Sequence, residues 1–174
     1  MLEWQSCRQD TELLRRTWSD NFEVLYSLGS KIYLYAFNGG HGTECKSLFP
    51  WVPKYEAAGE NLADKNEFRI QALRLVQTIA KALDKVDDPE KLERYLYHLG
   101  VRHVKYLPVW LEEKYWDIFK DAVQYGLNDR VNALRGLTQE DRFRALSLWR
   151  DIIEYIFEYV KDGFYDGLKG INRF

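Results

Sequence analysis

Apolar residues recur every three or four positions along most of this chain, and this helical period limits the fold more than any other feature. The clearest example begins at Asp88 and Pro89, a helix-capping residue followed by proline at the first helical position. The face that follows repeats at steps of three and four: Leu92, Tyr95, Leu96, Leu99 and His103. Residues at these steps share one side of an α-helix. No segment has a convincing strand pattern, so the sequence predicts an all-α protein.

Proline and glycine breaks divide this pattern into seven or eight predicted helices. A glycine-rich turn at 38–42 ends the second helix, because glycine admits the backbone angles that a turn demands. We expect Thr43 to cap a short helix that ends at Phe49, since Pro50 disfavours helical geometry at the residue before it. Thr138 begins an approximate capping box. The predicted helices cover residues 11–23, 25–37, 43–49, 65–83, 89–103, 111–125 and 138–162.

The composition is that of one soluble globular domain. The chain has 174 residues, of which 46% are hydrophobic and 30% charged, and this is enough to bury a sizeable core. We expect a single domain over 1–174, with a short N-terminal extension over 1–9 and a C-terminal tail over 165–174. A formal net charge of −2 argues against nucleic acid or anionic lipid as a partner.

The sequence shows no membrane span, signal peptide or cysteine motif, and this bears on where the protein is located and on the state of its thiols. No run approaches the roughly 18 uncharged apolar residues of a membrane span. The start has no basic end followed by an apolar run, so we expect no signal peptide. Cys7 and Cys45 make neither a disulfide framework nor a Cys-x-x-Cys metal pair. We therefore expect a reducing, cytoplasmic location, where unlinked thiols are favoured over a redox-sensitive bridge between these two cysteines.

His103 stands in the apolar stripe where another leucine would be ordinary. A histidine there is either a hydrogen-bonded core residue or a ligand. Gln71 on the preceding apolar helix, and Phe49 before it, favour the ligand. The joint spacing of Phe49, Gln71 and His103, together with Leu99-Gly100-Val101-Arg102-His103, resembles the haem-binding centre of the globin family. The likeness is strongest to neuroglobin-like and invertebrate, nematode-type globins.

The resemblance extends over about residues 13–163. Trp18 corresponds to the tryptophan in the first helix of globins, and Tyr33–Phe37 is similar to part of their second helix. Residues 115–123 and 149–160 resemble the last two globin helices. The resemblance implies the globin fold, a three-over-three helical sandwich of seven to eight helices, and one protohaem (haem b) whose iron is bound by His103. Short insertions after Phe37 and around Pro108 depart from the usual pattern.

The proposed ligand has clear chemical requirements. Haem iron takes a nitrogen donor from a neutral imidazole, whose other N–H should donate to a carbonyl one turn earlier, near Leu99. The cations Arg74, Arg102 and Lys105 either reach the haem propionates or belong to a solvated face. The remaining walls should be apolar, and the residues expected there are Phe49, Phe68, Leu75, Val76, Leu99 and Ile118.

Tyr33 and Gln71 resemble the tyrosine–glutamine distal pair of globins that bind oxygen tightly. A hydroxyl and an amide each donate a hydrogen bond, and the resemblance implies that both act on dioxygen. The alternative is that Tyr33 only fills the core while Gln71 points to solvent. Glutamine is a poor iron ligand, His98 should face away from His103, and His41 lies in the glycine-rich turn. We therefore expect five-coordinate iron, with six-coordinate iron as the alternative.

Several roles follow from this chemistry. Reversible dioxygen binding suits carriage, storage, scavenging or sensing, and NO and CO are further ligands of the same class. The alternatives are a redox or sensor globin and an NO dioxygenase. The latter needs an external reductase, because the chain carries no flavin or nicotinamide domain. The sequence does not indicate an oligomeric state.

Overall fold

Eight α-helices occur in the part of the chain that the structure, a computed structural model, describes, which is residues 4–5 and 7–174. They are α1 (Arg8–Thr17), α2 (Phe22–Asn38), α3 (Gly42–Ser47), α4 (Val52–Ala57), α5 (Asn66–Leu83), α6 (Pro89–His103), α7 (Glu113–Ala133) and α8 (Gln139–Leu168). No strand occurs in these residues, which confirms the all-α prediction. Among the described helices, none is long and apolar enough to cross a membrane. Residues 1–3 and 6 of the predicted N-terminal extension lie outside the described residues.

Two of the predicted helix starts are present with their capping hydrogen bonds. The Asp88 carboxylate accepts from the Lys91 backbone N–H at 3.2 Å, and α6 begins at the following proline. The Thr138 hydroxyl accepts from the backbone N–H of Asp141 at 3.0 Å. Each cap satisfies a backbone donor that has no partner inside the helix. The helix that carries His103 and the last helix therefore begin where the sequence predicted.

The predicted boundary between the first two helices is wrong. The expected helix over 11–23 is replaced by α1, which ends at Thr17, and by α2, which begins at Phe22. The Asn21 side chain accepts from the Val24 N–H at 3.1 Å and so starts a new helix inside the predicted one. The short helix α3 begins at Gly42, with His41 rather than Thr43 at the capping position.

Other differences concern one additional helix and the lengths of the last two helices. Helix α4 was not predicted; Pro53 stands in its first turn, where the missing N–H costs no helical hydrogen bond. Helix α7 starts at Glu113 and continues to Ala133, eight residues past the predicted end at Tyr125. Helix α8 continues to Leu168, beyond the predicted end at Asp162.

The helices pack in two layers of three. Helices α1 and α6 both pack across α8, and α5 packs across α2. Within the second layer, α7 lies between α2 and α8 and contacts both. The short helices α3 and α4 connect the end of α2 to the start of α5. This is the three-over-three arrangement expected from the sequence, and it brings α2, α5, α6 and α7 around a common region.

The crossing of α6 and α8 depends on two glycines that face each other's helix. A Cβ added to Gly100 would lie 2.8 Å from the backbone nitrogen of Phe164, and one added to Gly163 would lie 2.9 Å from the carbonyl carbon of Tyr97. Both atoms belong to helix backbones, so neither can move without displacing a helix. The glycine of the Leu-Gly-x-x-His segment is therefore explained by the close approach of α8.

We expect Gly100→Ala to destabilise the fold by about 1–2 kcal/mol net, because overpacking against helix backbone should cost toward the upper end of the usual ~1–3 kcal/mol, and the ~1 kcal/mol that alanine gains in helix propensity offsets only part of it. Urea unfolding of the purified variant measures the change. Gly40→Ala is the matched control, since a Cβ at that turn meets nothing within 4 Å. Equal stability of the Gly100 variant and the wild type would contradict the packing argument.

A polar cluster fixes α6 to α8 and the C-terminal segment. The Tyr97 hydroxyl, on a fully buried ring, donates to the Asp166 carboxylate at 3.1 Å and accepts the backbone N–H of Arg173 at 3.2 Å. The Arg173 guanidinium pairs with Asp166 at 2.5 Å and with Asp162 at 2.8 Å. Burial is the main cause that raises the pKa of Tyr97, and the Asp166 carboxylate adds to it. The helix that carries His103 is thus held at its middle by both packing and hydrogen bonds.

Candidate functional site

His103 is the last residue of α6, and its imidazole bonds to the helix's own backbone. Its Nδ1 lies 2.7 Å from the carbonyl oxygen of Leu99. Only an N–H can bond to a carbonyl, so this contact places the proton on Nδ1 and leaves the lone pair on Nε2. Burial lowers the pKa of His103, while the bond to Leu99 opposes that shift. The side chain is therefore a neutral, oriented nitrogen donor, as expected from the sequence.

Trp116 of α7 lies beside this imidazole. Its ring centroid is 6.4 Å from that of His103 and 5.5 Å from that of Phe164. The indole is buried, and its Nε1–H has no hydrogen-bond partner among the described residues. Sequence reasoning did not single out this residue, because a tryptophan in a helical apolar pattern gives no sign of which distant side chain it will meet.

Tyr33 of α2 is surrounded by phenylalanines from its own helix, from α5, from α7 and from the connection between α3 and α4. Its ring makes edge contacts with four rings at centroid distances of 5.8 to 6.2 Å: Phe37, Phe49, Phe68 and Phe119. The ring keeps partial solvent access, yet the crowded atoms exclude enough water to raise the pKa of Tyr33 to about 12. Within the described residues nothing accepts a hydrogen bond from its hydroxyl. Tyr33 is thus a protonated donor without a protein partner.

The structure therefore brings three predicted site residues, Tyr33, Phe49 and Phe68, into one aromatic cluster. Phe68 is completely buried, whereas Phe49 is partly exposed. Phe37 and Phe119 also belong to this cluster but were not predicted as site residues. Phe37 follows Tyr33 by one helical turn, so the spacing could have indicated it. Phe119 comes from α7, and only the tertiary packing shows its position.

Helix α5 presents the other predicted residues of this region. Gln71 and Leu75 are one turn apart on one face, and both are partly buried. Val76 is buried in the core. The Gln71 amide has no hydrogen-bond partner among the residues described. Arg74 is exposed, and its positive charge lowers the pKa of Tyr33 against the larger effect of burial.

Several of the apolar side chains expected at the site, together with Phe119, pack on the core while remaining partly exposed. They come from α2, the segment before α4, α5, α6 and α7: Tyr33, Phe49, Leu75, Leu99, Ile118 and Phe119. Partly exposed apolar side chains of this size are typical of the walls of a ligand site. The structure describes these walls but does not by itself assign their ligand.

The other histidines lie in different surroundings. The His98 ring packs on Tyr97 and on Phe174, at centroid distances of 5.9 and 6.4 Å. The exposed His41 ring has its Nδ1 3.2 Å from the Glu44 carboxylate. In the described part of the chain, no group of three or more His, Cys, Asp or Glu side chains could hold a bare metal ion.

The cysteines form no disulfide, and the cations expected at the haem propionates form no ion pair among the described residues. Cys7 is exposed and Cys45 buried, and both are free thiols; burial raises the pKa of Cys45. The expected cations Arg74, Arg102 and Lys105 are exposed. None of the three pairs with a carboxylate among the residues described, so their charge is available to an anionic ligand.

Comparison with known proteins gives two findings. A protein-family model described as Globin matches residues 40–147, a range that contains Phe49, Gln71 and His103 but not Tyr33. The fold is similar to a crystal structure of a hexacoordinated heme protein from an anhydrobiotic tardigrade at pH 4, with a TM-score of 0.70 and 20% sequence identity. That match covers 93% of this chain and 97% of the tardigrade chain, and at this identity it shows the fold alone. No curated protein matches the sequence.

Proposed function

The chain belongs to the globin family, and from this premise we propose that it holds one protohaem through His103 and binds dioxygen reversibly. The observation that carries the proposal is the bond between Nδ1 of His103 and the Leu99 carbonyl. This bond fixes the tautomer in which Nε2 is a free donor and keeps the ring from rotating, both of which an axial ligand needs. Bound haem supplies a ferrous iron that takes a diatomic gas as a ligand.

The residues proposed for the site fit a haem group. A haem is flat, largely apolar and anionic at one edge, so it needs apolar walls, one nitrogen donor and nearby cations. Phe49, Leu75, Leu99 and Ile118 supply partly exposed apolar walls from four regions of the chain. Arg74, Arg102 and Lys105 supply cations that pair with no described carboxylate. A burial site for a purely polar cofactor would not have this composition.

Tyr33 and Gln71 support tight binding of dioxygen. Both side chains carry donors without protein partners in the described structure, and the pKa of about 12 keeps the Tyr33 hydroxyl protonated at neutral pH. A hydrogen bond to an acceptor with negative charge contributes about 1.5–3 kcal/mol, so two such bonds would slow ligand release by roughly 10²–10⁴-fold. The four phenylalanine rings around Tyr33 orient its phenol and exclude water.

We propose that the iron is five-coordinate before a gas ligand binds. The tardigrade protein of similar fold is described as hexacoordinated, so the alternative has to be weighed against the histidines of this chain. His98 is packed on Tyr97 and Phe174, and His41 is exposed beside Glu44. We assign Gln71 to the position at which neuroglobin-like globins carry a second histidine, and its amide is a weak ligand.

An absorption spectrum of the purified ferrous protein, recorded with and without dioxygen, tests the proposal. We expect a coloured protein with a five-coordinate spectrum under anaerobic conditions and a reversible change when dioxygen is admitted. A colourless protein after expression with ample porphyrin supply would overturn haem binding. A six-coordinate ferrous spectrum without added ligand would instead favour the redox or sensor alternative.

Kinetics separate carriage from catalysis. Slow dioxygen release together with slow autoxidation supports storage, scavenging or carriage. Consumption of NO with formation of nitrate, sustained by a separate reductase, supports an NO dioxygenase. CO serves as an inert ligand for counting accessible haem in both experiments.

A further inference from the structure

Two tyrosines on neighbouring helices are stacked at the surface. Tyr35 of α2 and Tyr125 of α7 have ring centroids 4.1 Å apart, and their planes differ by 17°. The two residues are 46% and 44% exposed, respectively. An aromatic stack contributes about 0.5–1.5 kcal/mol beyond the burial of its surface. Stacking needs only the rings, so it does not explain why both partners are tyrosines.

The helices hold this pair in a fixed register. One turn away on each helix, Lys31 of α2 forms an ion pair with Asp129 of α7. Beside the stack, Gly126 lets α2 approach closely, since an added Cβ would lie 2.6 Å from the Cγ1 of Ile32. The two rings therefore face each other because the α2–α7 packing places them there.

We propose that Tyr35 and Tyr125 are a site of oxidative cross-linking, at which a peroxide-driven one-electron oxidation joins the two rings as dityrosine. Each phenol loses its hydroxyl hydrogen to give a phenoxyl radical, and the radicals couple through the ring carbons ortho to oxygen. The hydrogen on each coupled carbon then moves to the oxygen of the same ring, which restores two phenols. Overall, two ortho C–H bonds break and one C–C bond forms. The two electrons and two protons released reduce one hydrogen peroxide to two waters.

Contact within one molecule favours this product over coupling between molecules. Well-oriented neighbouring groups reach effective concentrations of about 10⁵ M or more, far above any protein concentration. Tyr106 is the most exposed of the described tyrosines at 74%, yet it stacks on no other ring in the described structure, so it can couple only to another chain. Tyr155 and Tyr159 also approach each other, at 4.8 Å, but both are buried and on one helix.

The cross-link would join two helices that form walls of the candidate site. Helix α2 carries Tyr33 and α7 carries Ile118 and Phe119. A covalent bond between α2 and α7 restricts the unfolded chain and limits how far the helices can separate. The stack does not require haem in this chain, and an external peroxidase can catalyse the oxidation by peroxide, so this inference goes beyond the proposed function and does not depend on it.

The test treats dilute full-length protein with hydrogen peroxide and an added peroxidase, then separates monomer from covalent dimer under denaturing conditions. We expect the monomer to gain dityrosine fluorescence and to lose the mass of two hydrogen atoms, and a protease digest to link peptides containing residues 35 and 125. Tyr35→Phe and Tyr125→Phe should each lower monomer dityrosine at least about tenfold, because each removes a coupling partner that only proximity supplies.

Tyr106→Phe is the control, and it should leave monomer dityrosine unchanged while reducing covalent dimers. Phenylalanine preserves the stacked ring, and circular dichroism of each variant verifies that the helices are intact. The proposal is overturned if dityrosine occurs only in dimers, or if Tyr35→Phe and Tyr125→Phe monomers retain the wild-type fluorescence.

Discussion

Replacing His103 with alanine is expected to abolish stable haem binding. The substitution removes the one described imidazole that combines a free Nε2 with a backbone-oriented Nδ1 at the apolar walls. Losing only a hydrogen-bond partner of a metal ligand costs about 10–100-fold in affinity, so losing the ligand itself should cost at least ~100-fold. The ratio of haem absorbance to protein absorbance after gel filtration measures the loss.

His98→Ala and His41→Ala are the matched controls, because each also removes one imidazole. Since His98 packs on Tyr97 and Phe174 and His41 lies exposed beside Glu44, both variants should retain haem. Near-normal haem content in His103→Ala would refute the assignment of this residue. Loss of haem in His98→Ala, with the helices intact, would identify a different ligand.

The fold could be predicted where a helical period coincided with a strong starting signal. Asp88 before Pro89, and Thr138, cap α6 and α8 as expected. The prediction failed between α1 and α2, because Trp18 and Phe22 continue the apolar period across a real break. There the Asn21 cap, a local hydrogen bond, outweighs the pattern. Helix α4, which has Pro53 in its first turn, was not predicted at all.

The candidate site could be predicted along a helix but not between helices. The contact of His103 with Leu99 spans one turn, so the spacing alone made it foreseeable. The approach of Trp116 to His103, and of Phe119 to Tyr33, joins residues of different helices and depends on crossing angles that no local pattern encodes. Periodicity identifies which face of a helix is apolar, and tertiary packing decides which residues meet there.

Replacing Tyr33 with phenylalanine is expected to raise the dioxygen dissociation rate at least about tenfold, since one lost hydrogen bond of ~1.4 kcal/mol corresponds to that factor. Phenylalanine keeps the ring and therefore its edge contacts with Phe37, Phe49, Phe68 and Phe119. The change thus isolates the hydroxyl. Stopped-flow displacement of dioxygen by CO measures the rate in both proteins.

The pKa of about 12 adds a condition to this experiment, because a phenol donates a hydrogen bond only while it is protonated. Below that pKa the donor is present in the wild type, so the difference between the two proteins should stay constant through neutral pH. Tyr35→Phe is the control on the same helix: its ring stacks on Tyr125 at the surface, and its dissociation rate should equal that of the wild type. An unchanged rate in Tyr33→Phe would reduce Tyr33 to a packing residue and leave Gln71 as the remaining donor.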